Sequence, residues 1–278
     1  MDNNTFFFEN VSLLISHYNR SKSLLRLLTE MQNLEVKFGE IIVSDDASSD
    51  NHLQNLKEYQ KIFNFKLITS PINKGLSNNI NKGLEAVSKP YILYVQEDFV
   101  PSSRFPIKFL HSLEIMDERP DIDIARYWAY WKYPYLNPVK NGFSEMNFNF
   151  WKTGYKKFYV YSDACHLRRR DFTKRFGKYE ENLPSDRAEY LMMMSFIRGK
   201  GKAIYNDHYN EMFNHQNNEA EPSTVYRDSI SYKENNPVIL VIRNIYRNTK
   251  FNFDYLFLFT WRFEKFMKSI NGVSKNNN

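Results

Sequence analysis

Three runs decide the architecture: Val11-Ser-Leu-Leu-Ile-Ser16, Glu40-Ile-Ile-Val-Ser44 and Tyr91-Ile-Leu-Tyr-Val95. Each is short and largely apolar, the pattern of a strand buried on both faces. Lys66-Leu-Ile-Thr69 reads as a further strand. Between them the spacing predicts amphipathic helices. Ser21 is expected to cap one that buries Leu24, Leu25, Leu28 and Met31. A second carries Leu53, Leu56 and Phe63, and a third carries Leu76, Ile80, Leu84 and Val87. Buried strands alternating with such helices imply an α/β protein, Rossmann-like, with a mostly parallel sheet covered on both faces. Ligands of such sheets gather beyond the carboxyl ends of the strands.

The segments that follow the strands are polar. Ser16-His-Tyr-Asn-Arg20 follows the first, Asp45-Asp-Ala-Ser-Ser-Asp50 the second and Gln96-Glu97-Asp98 the fourth. Taken singly, each is an ordinary turn. Gathered at adjacent strand ends, the carboxylates would repel one another unless a cation or hydrogen-bond donors compensated them.

These runs, together with Asn73-Lys-Gly75 and Asn81-Lys-Gly83, resemble the nucleotide-sugar half of a family 2 glycosyltransferase with a GT-A fold. The order and spacing of the five motifs carry the resemblance over about ninety residues; no single motif does. It implies an inverting, metal-dependent transferase of the hexosyltransferase kind. Such an enzyme moves a sugar from a nucleoside-diphosphate donor, first of all a UDP-sugar, to a hydroxyl of a saccharide or lipid-linked saccharide. Surface polysaccharide biosynthesis in a bacterium is the implied setting. Tyr18 suits the face of the base, and Asp46 or its neighbour Asp45 suits the imide N–H. Ser16 is placed to bond the nucleoside. The resemblance puts the family's acidic metal motif on Gln96-Glu97-Asp98. Asp98 is expected to touch Mn2+ or Mg2+, which would neutralise the departing diphosphate. Gln96 departs from the usual Asp; it accepts a hydrogen bond but brings no charge. Ile80 stands where the family often has Arg, and Lys74 is a candidate replacement for phosphate contact.

The second half reads less sharply. Tyr127, Trp128, Tyr130, Trp131, Tyr133, Tyr135, Phe148, Phe150 and Trp151 crowd one stretch, suited either to core packing or to stacking on sugar rings. Tyr159–Asp163 is expected to be a strand leading into a basic loop, with Arg168, Arg169 or Arg170 steering a diphosphate or simply solvated. Gly177–Tyr190 resembles the segment that carries the acceptor-side acids. Asp186 is the expected base and Glu189 its acceptor-binding partner, with Glu181 a third candidate. Three apart, Asp186 and Glu189 would share a helix face. His208 and His215 follow an expected last strand at Lys202–Tyr205, and the resemblance makes His215 a further metal or diphosphate ligand.

The expected organisation is therefore a nucleotide-sugar-binding half over 1–100, an acceptor-binding half of the same GT-A domain over 101–236, and a basic, aromatic C-terminal region of amphipathic helices over 237–278. Seven basic residues stand against Asp254 and Glu264 in the last region, which carries most of the chain's net +6. A helix pair resting on an anionic membrane surface would explain it, as would packing on the domain or a dimer contact. No nucleic-acid motif accompanies the charge. Cys165 is the single cysteine of 278 residues, so no internal disulfide forms. No signal segment or membrane span is legible, and the expected location is cytoplasmic or peripheral at the inner membrane face. Two rival readings are a sugar-nucleotide pyrophosphorylase, whose glycine-rich phosphate loop is missing here, and a non-catalytic saccharide-binding or scaffolding protein that kept the fold.

Overall fold

A computed structural model describes the backbone of residues 5–216 and 237–273, with side chains described as far as residue 258. The first strand, β1 (Phe6–His17), begins five residues before the apolar run at Val11. Phe8 holds this extension down, packing edge-on to Phe109 at 4.7 Å, and a register shift separates it from Ser12. Then follow α1 (Ser21–Asn33), β2 (Val36–Asp45), α2 (Asp50–Phe63), β3 (Lys66–Ile68), α3 (Leu76–Ala86) and β4 (Tyr91–Gln96). Ser21 does not cap α1: Arg20 occupies that position without a side-chain bond, while the Ser21 hydroxyl contacts His52 Nδ1 at 2.8 Å.

The second half supplies β5 (Phe99–Pro101), α4 (Phe105–Glu118), β6 (Ile124–Arg126), β7 (Leu136–Lys140), β8 (Phe143–Met146) and β9 (His166–Arg169). It continues with α5 (Phe172–Phe176), α6 (Ser185–Arg198), β10 (Ala203–Asn206) and β11 (Phe213–His215). Nine strands form one mixed sheet in the order β3-β2-β1-β4-β9-β6-β10-β8-β7, and β5 pairs with β11 apart from it. Within the large sheet, β9 and β8 run against their neighbours, and the paired parallel strands are β3-β2-β1-β4 and β6-β10. Both halves of the chain thus build a single sheet.

Alternation along β1 divides the core. Leu13 and Ile15 pack with Leu24, Leu27, Phe105 and Phe109 on one side. Leu14 packs with Ile80, Ile92, Met192 and Phe196 on the other. Gly83 lets α3 lie close to the sheet, since a Cβ there would come within 2.5 Å of Leu14 Cδ1. Ile80 is core, so this position of α3 offers nothing to a phosphate.

Two sequence expectations fail in the second half. Tyr159–Asp163 is not a strand; the strand is the arginine-bearing β9 that follows it. Nor do the arginines reach the carboxyl end of β4, because β9 is antiparallel and sets Arg169 opposite Tyr91, at the far end. Arg168 is wholly buried with its guanidinium 5.1 Å from the Phe172 ring, Arg169 Nε bonds the Ile122 carbonyl at 2.8 Å and Arg170 Nη1 the Ser88 carbonyl at 2.8 Å. Their work is structural. The C-terminal region is one helix, α7 (Pro237–Val273), rather than a pair. Phe251 is buried against Phe158 and Tyr190, whereas Val241, Ile242, Ile245 and Tyr246 are exposed. Basic residues Arg262, Lys265, Lys268 and Lys275 lie beyond the described side chains.

Candidate active site

Register brings the strand ends together. Ser16 pairs with Ser44 on one side and with Gln96 on the other, and His17 pairs with Asp45. The residues immediately beyond, Tyr18, Asp46 and Glu97-Asp98, therefore emerge side by side. Hydrogen bonds lock these loops. Asp45 receives His17 Nδ1 at 2.7 Å and the Ser48 N–H at 3.0 Å, while His17 Nε2 accepts the Arg20 N–H at 3.3 Å, so Nδ1 is the nitrogen that donates to Asp45. Burial pushes the Asp45 carboxyl up, but the bonds from His17 and Ser48 outweigh it and hold the group below the usual carboxylate range. Asp45 is fully enclosed and serves the loop architecture.

Asp46 accepts the backbone N–H groups of Lys74 at 3.0 Å and Gly75 at 2.7 Å, tying the start of α3 to the end of β2. The Lys74 side chain itself is exposed. Lys82, which the sequence reading passed over, sends its ammonium to the Asp45 carbonyl and to Ser70 Oγ at 2.7 Å. Its burial between these loops lowers its pKa, an effect that Asp46 and Asp45 oppose. Tyr18 is half-buried at the same edge, and Ser16 Oγ lies 3.0 Å from the Tyr94 hydroxyl.

Asp98 is the hub. Its Oδ2 accepts Arg20 Nη1 at 2.8 Å and lies 3.1 Å from His215 Nε2, and the same guanidinium is 3.7 Å from Glu97 Oε1. Desolvation favours protonation of Asp98, yet the bonds from His215 and Arg20 keep it ionised below the ordinary range. His215 does not trail the last strand as expected; it sits in β11, opposite Phe99 of β5, with its ring tilted 5.0 Å from that ring. His208 lies outside this cluster, its carbonyl bonded by Asn206 Nδ2 at 3.1 Å. Asp98 Oδ1 is buried with no hydrogen-bond partner among the described residues. An enclosed carboxylate oxygen of this kind, beside an imidazole, fits a hard divalent cation. Among the described residues no group of three or more His, Cys, Asp or Glu could hold a metal; Asp98 and His215 are the residues of this edge that could contribute to one.

The residues expected on the acceptor side lie on α6 and just before it. Asp186 is exposed and its Oδ1 takes the Arg187 N–H at 2.8 Å. Glu181 is exposed on another element, held by Asn78 Nδ2 at 2.7 Å and Asn81 Nδ2 at 2.9 Å. Glu189 turns inward instead: its Oε1 accepts the Asp163 N–H at 3.1 Å, and the Asp163 carbonyl lies 3.4 Å from Gln96 Nε2 at the end of β4. Asp163 thus lies beside the end of β4, a placement that the sequence concealed; only the pairing of β9 with β4 brings its loop here. Trp128 stands 5.8 Å from the His215 ring and 4.5 Å from Tyr130, forming an aromatic wall beside the Asp98–His215 edge. Tyr127 and Tyr133, from the same stretch, are core.

The sheet order and the strand-end carboxylates define a GT-A nucleotide-sugar fold. The chain belongs to glycosyl transferase family 2, whose profile matches residues 12–177. It is 29% identical over 106 residues to the poly-beta-1,6-N-acetyl-D-glucosamine synthase of Staphylococcus epidermidis, covering 38% of this chain and 26% of that relative. It is 24% identical over 213 residues to the cholesterol galactosyltransferase of Borreliella burgdorferi, covering 72% and 58%. The matches span less than two thirds of either relative. Among solved structures, S. aureus TarS 1-349 in complex with UDP-GlcNAc superposes with a TM-score of 0.57 at 19% identity, over 78% of this chain and 62% of that one. GalNAc-T7 with UDP, GalNAc and Mn2+ superposes at 0.53 and 16% identity, over 74% and 43%. These likenesses are of fold.

Proposed function

We propose that the protein transfers a sugar, with inversion, from a nucleoside-diphosphate donor to a hydroxyl of a saccharide or lipid-linked saccharide. A UDP-sugar is the favoured donor, and bacterial surface polysaccharide synthesis the setting. The observation that carries the reading is Asp98: its uncommitted buried Oδ1, with His215 on its other oxygen, lies at the strand edge that Tyr18 and Asp46 share. A divalent cation held there, Mn2+ or Mg2+, would offset the charge gathering on the departing diphosphate. Asp45 and Asp46 fix the loops, Tyr18 faces the base, Ser16 and Gln96 line the strand ends, and Glu97 adds negative charge beside Arg20. Because Asp186 is exposed, Glu189 is the better-placed carboxylate to take the acceptor's proton, with Trp128 and Tyr130 flanking the entry. The relatives act on, or are bound to, galactosyl and N-acetylhexosaminyl compounds by name, which supports this donor class.

A panel of UDP-, GDP- and TDP-sugars assayed for nucleoside diphosphate release with and without manganese tests the reading. Release that needs the metal and vanishes in Asp98→Asn supports it. Nucleotide binding without release from any donor would favour a binding or scaffolding role instead, the reading to which the Arg20–Asp98 ion pair lends weight by neutralising the carboxylate without a metal.

Contact with an anionic membrane surface belongs to the same proposal. No helix among the described residues is long and apolar enough to cross a membrane. The exposed Val241, Ile242, Ile245 and Tyr246 of α7 alternate with Arg243 and Arg247, which suits a helix lying in the interface. Co-sedimentation with vesicles containing phosphatidylglycerol, but not with phosphatidylcholine alone, is the expected result.

A further inference from the structure

The aromatic stretch from Tyr127 to Trp151 is divided by the fold among three places. Tyr127 and Tyr133 are core, and Trp128 stands beside His215. The last members go elsewhere. Phe148, Phe150 and Trp151 line a cavity of about 450 Å³ with Glu145, Lys200 and, from α7, Tyr255. That volume is in the range of small-ligand sites. The cavity also touches Gly201 and Lys202, just before β10. β10 sets Ala203 beside Ile124, and β9 sets Arg168 opposite both Ile124 and Ile92, near the start of β4. The cavity therefore lies at the margin of the sheet where β4 begins, opposite to the end that carries Gln96 and Asp98.

Trp151 is 86% exposed, yet the loop that carries it is firmly held. Its N–H bonds Asn149 Oδ1 at 2.9 Å, and the Lys152 N–H bonds the Asn149 carbonyl at 3.1 Å. The buried Lys157 ammonium donates to the Phe150 carbonyl, to the Lys152 carbonyl at 2.7 Å and to Asn252 Oδ1 of α7 at 3.1 Å. Phe150 stacks on Tyr255 at 5.5 Å and meets Trp151 edge-on at 5.3 Å. A single exposed ring is ordinary, but one fixed in the wall of an aromatic cavity marks a binding surface. Because the loop is already ordered, a ligand binds it without the cost of arranging it. The Glu145 carboxylate is matched by Arg119 Nη2 at 3.2 Å and the Lys202 ammonium by Asp121 Oδ2 at 2.8 Å. Aromatic rings beside polar groups whose charge is largely matched suit a neutral molecule with an apolar face and a polar edge. A pyranose has that form: its C–H groups lie against a ring while its hydroxyls reach the polar neighbours. An alkyl chain would leave those neighbours unpaired.

We propose that this cavity is a second saccharide site, which binds a pyranose of a glycan chain against Trp151 without acting on it. It rests on the transferase reading only for its use, a hold on a chain under extension; binding itself needs no turnover.

Isothermal titration of the full chain with two probes tests it: hexasaccharides of β-1,6-linked N-acetylglucosamine and of β-1,4-linked glucose. At least one is expected to bind with a Kd below about 1 mM. The bound probe should shield Trp151 from oxidation by N-bromosuccinimide, read by peptide mass mapping. Trp151→Ala should weaken binding at least about tenfold, and Trp151→Phe, which keeps a ring, should recover most of it. The melting temperature of Trp151→Ala should move by less than about 2 °C, so that the loss is one of contact and not of folding. Saturating UDP should leave the titration unchanged. No binding of either probe, binding indifferent to Trp151→Ala, or a saccharide that UDP displaces would overturn the proposal. If no donor is cleaved while these titrations succeed, the transferase reading fails and the second site stands.

Discussion

The edge proposed to hold the donor and the edge proposed to receive the acceptor are built by opposite means. At the donor edge, consecutive strand–helix units place Asp45, Asp46 and Asp98 by backbone register, and each carboxylate is engaged by donors at 2.7–3.1 Å. At the edge proposed for the acceptor, Asp163 and Glu189 come from a loop and a helix with no shared register, joined by the Asp163 backbone N–H on Glu189 Oε1 at 3.1 Å. The contrast teaches where rigidity is required. A nucleotide diphosphate presents the same groups whatever sugar it carries, so a cradle for it can be fixed; under the proposed function the acceptor would be read by side chains that can be changed one at a time.

Substitutions should separate the two edges. The largest effect is expected for Asp98→Asn, where loss of the charged ligand should slow metal-dependent donor cleavage about a thousandfold, a matter of roughly 4 kcal/mol in the barrier, measured as nucleoside diphosphate release. Next comes Asp45→Ala, which strands His17 and Ser48 without an acceptor in a closed site and should cost about 3 kcal/mol of stability in urea. Since folding depresses the Asp45 pKa, its contribution is present above the unfolded value and fades as pH falls below about 4. The acid limb of the melting curve should therefore flatten in Asp45→Asn. Trp128→Ala should leave donor binding intact and weaken the acceptor about tenfold, read as KM for each substrate. The smallest effect belongs to Asp186→Ala, which should change stability and turnover by less than about 0.5 kcal/mol because its carboxylate bonds only the adjacent N–H among the described residues. A large loss there would move the base away from Glu189 and redraw the acceptor edge.

The donor edge was legible because its signals are local. The runs at Val11, Glu40 and Tyr91 are too apolar to be anything but enclosed strands, and the polar residues after them can emerge only at the sheet's carboxyl edge. The acceptor edge was hidden because its signals are not local. Tyr159-Val-Tyr has every mark of a strand, yet the pairing goes to His166–Arg169, whose arginines look solvated until Phe172 and backbone carbonyls are found around them. Asp163 carried no spacing that marks a site; it matters because an antiparallel strand delivers it beside Gln96. Asp186 had the pattern, and helix phase set it on the outer surface. The single α7 in place of two helices has the same root: aromatic and basic spacing fixes a face but not where a helix stops.

One consequence concerns the seam between the two halves. Because β9 is wedged between β4 and β6, the sheet cannot be completed until residue 169 has been made and has doubled back into the middle of the array. A fragment ending near residue 100 would expose the flank of β4, a flat, oily margin with unmet amides ready to recruit another copy. Recombining donor and acceptor portions from different relatives would therefore need to move β9 with its neighbours, and a swap made at residue 100 would be expected to precipitate before it could be assayed.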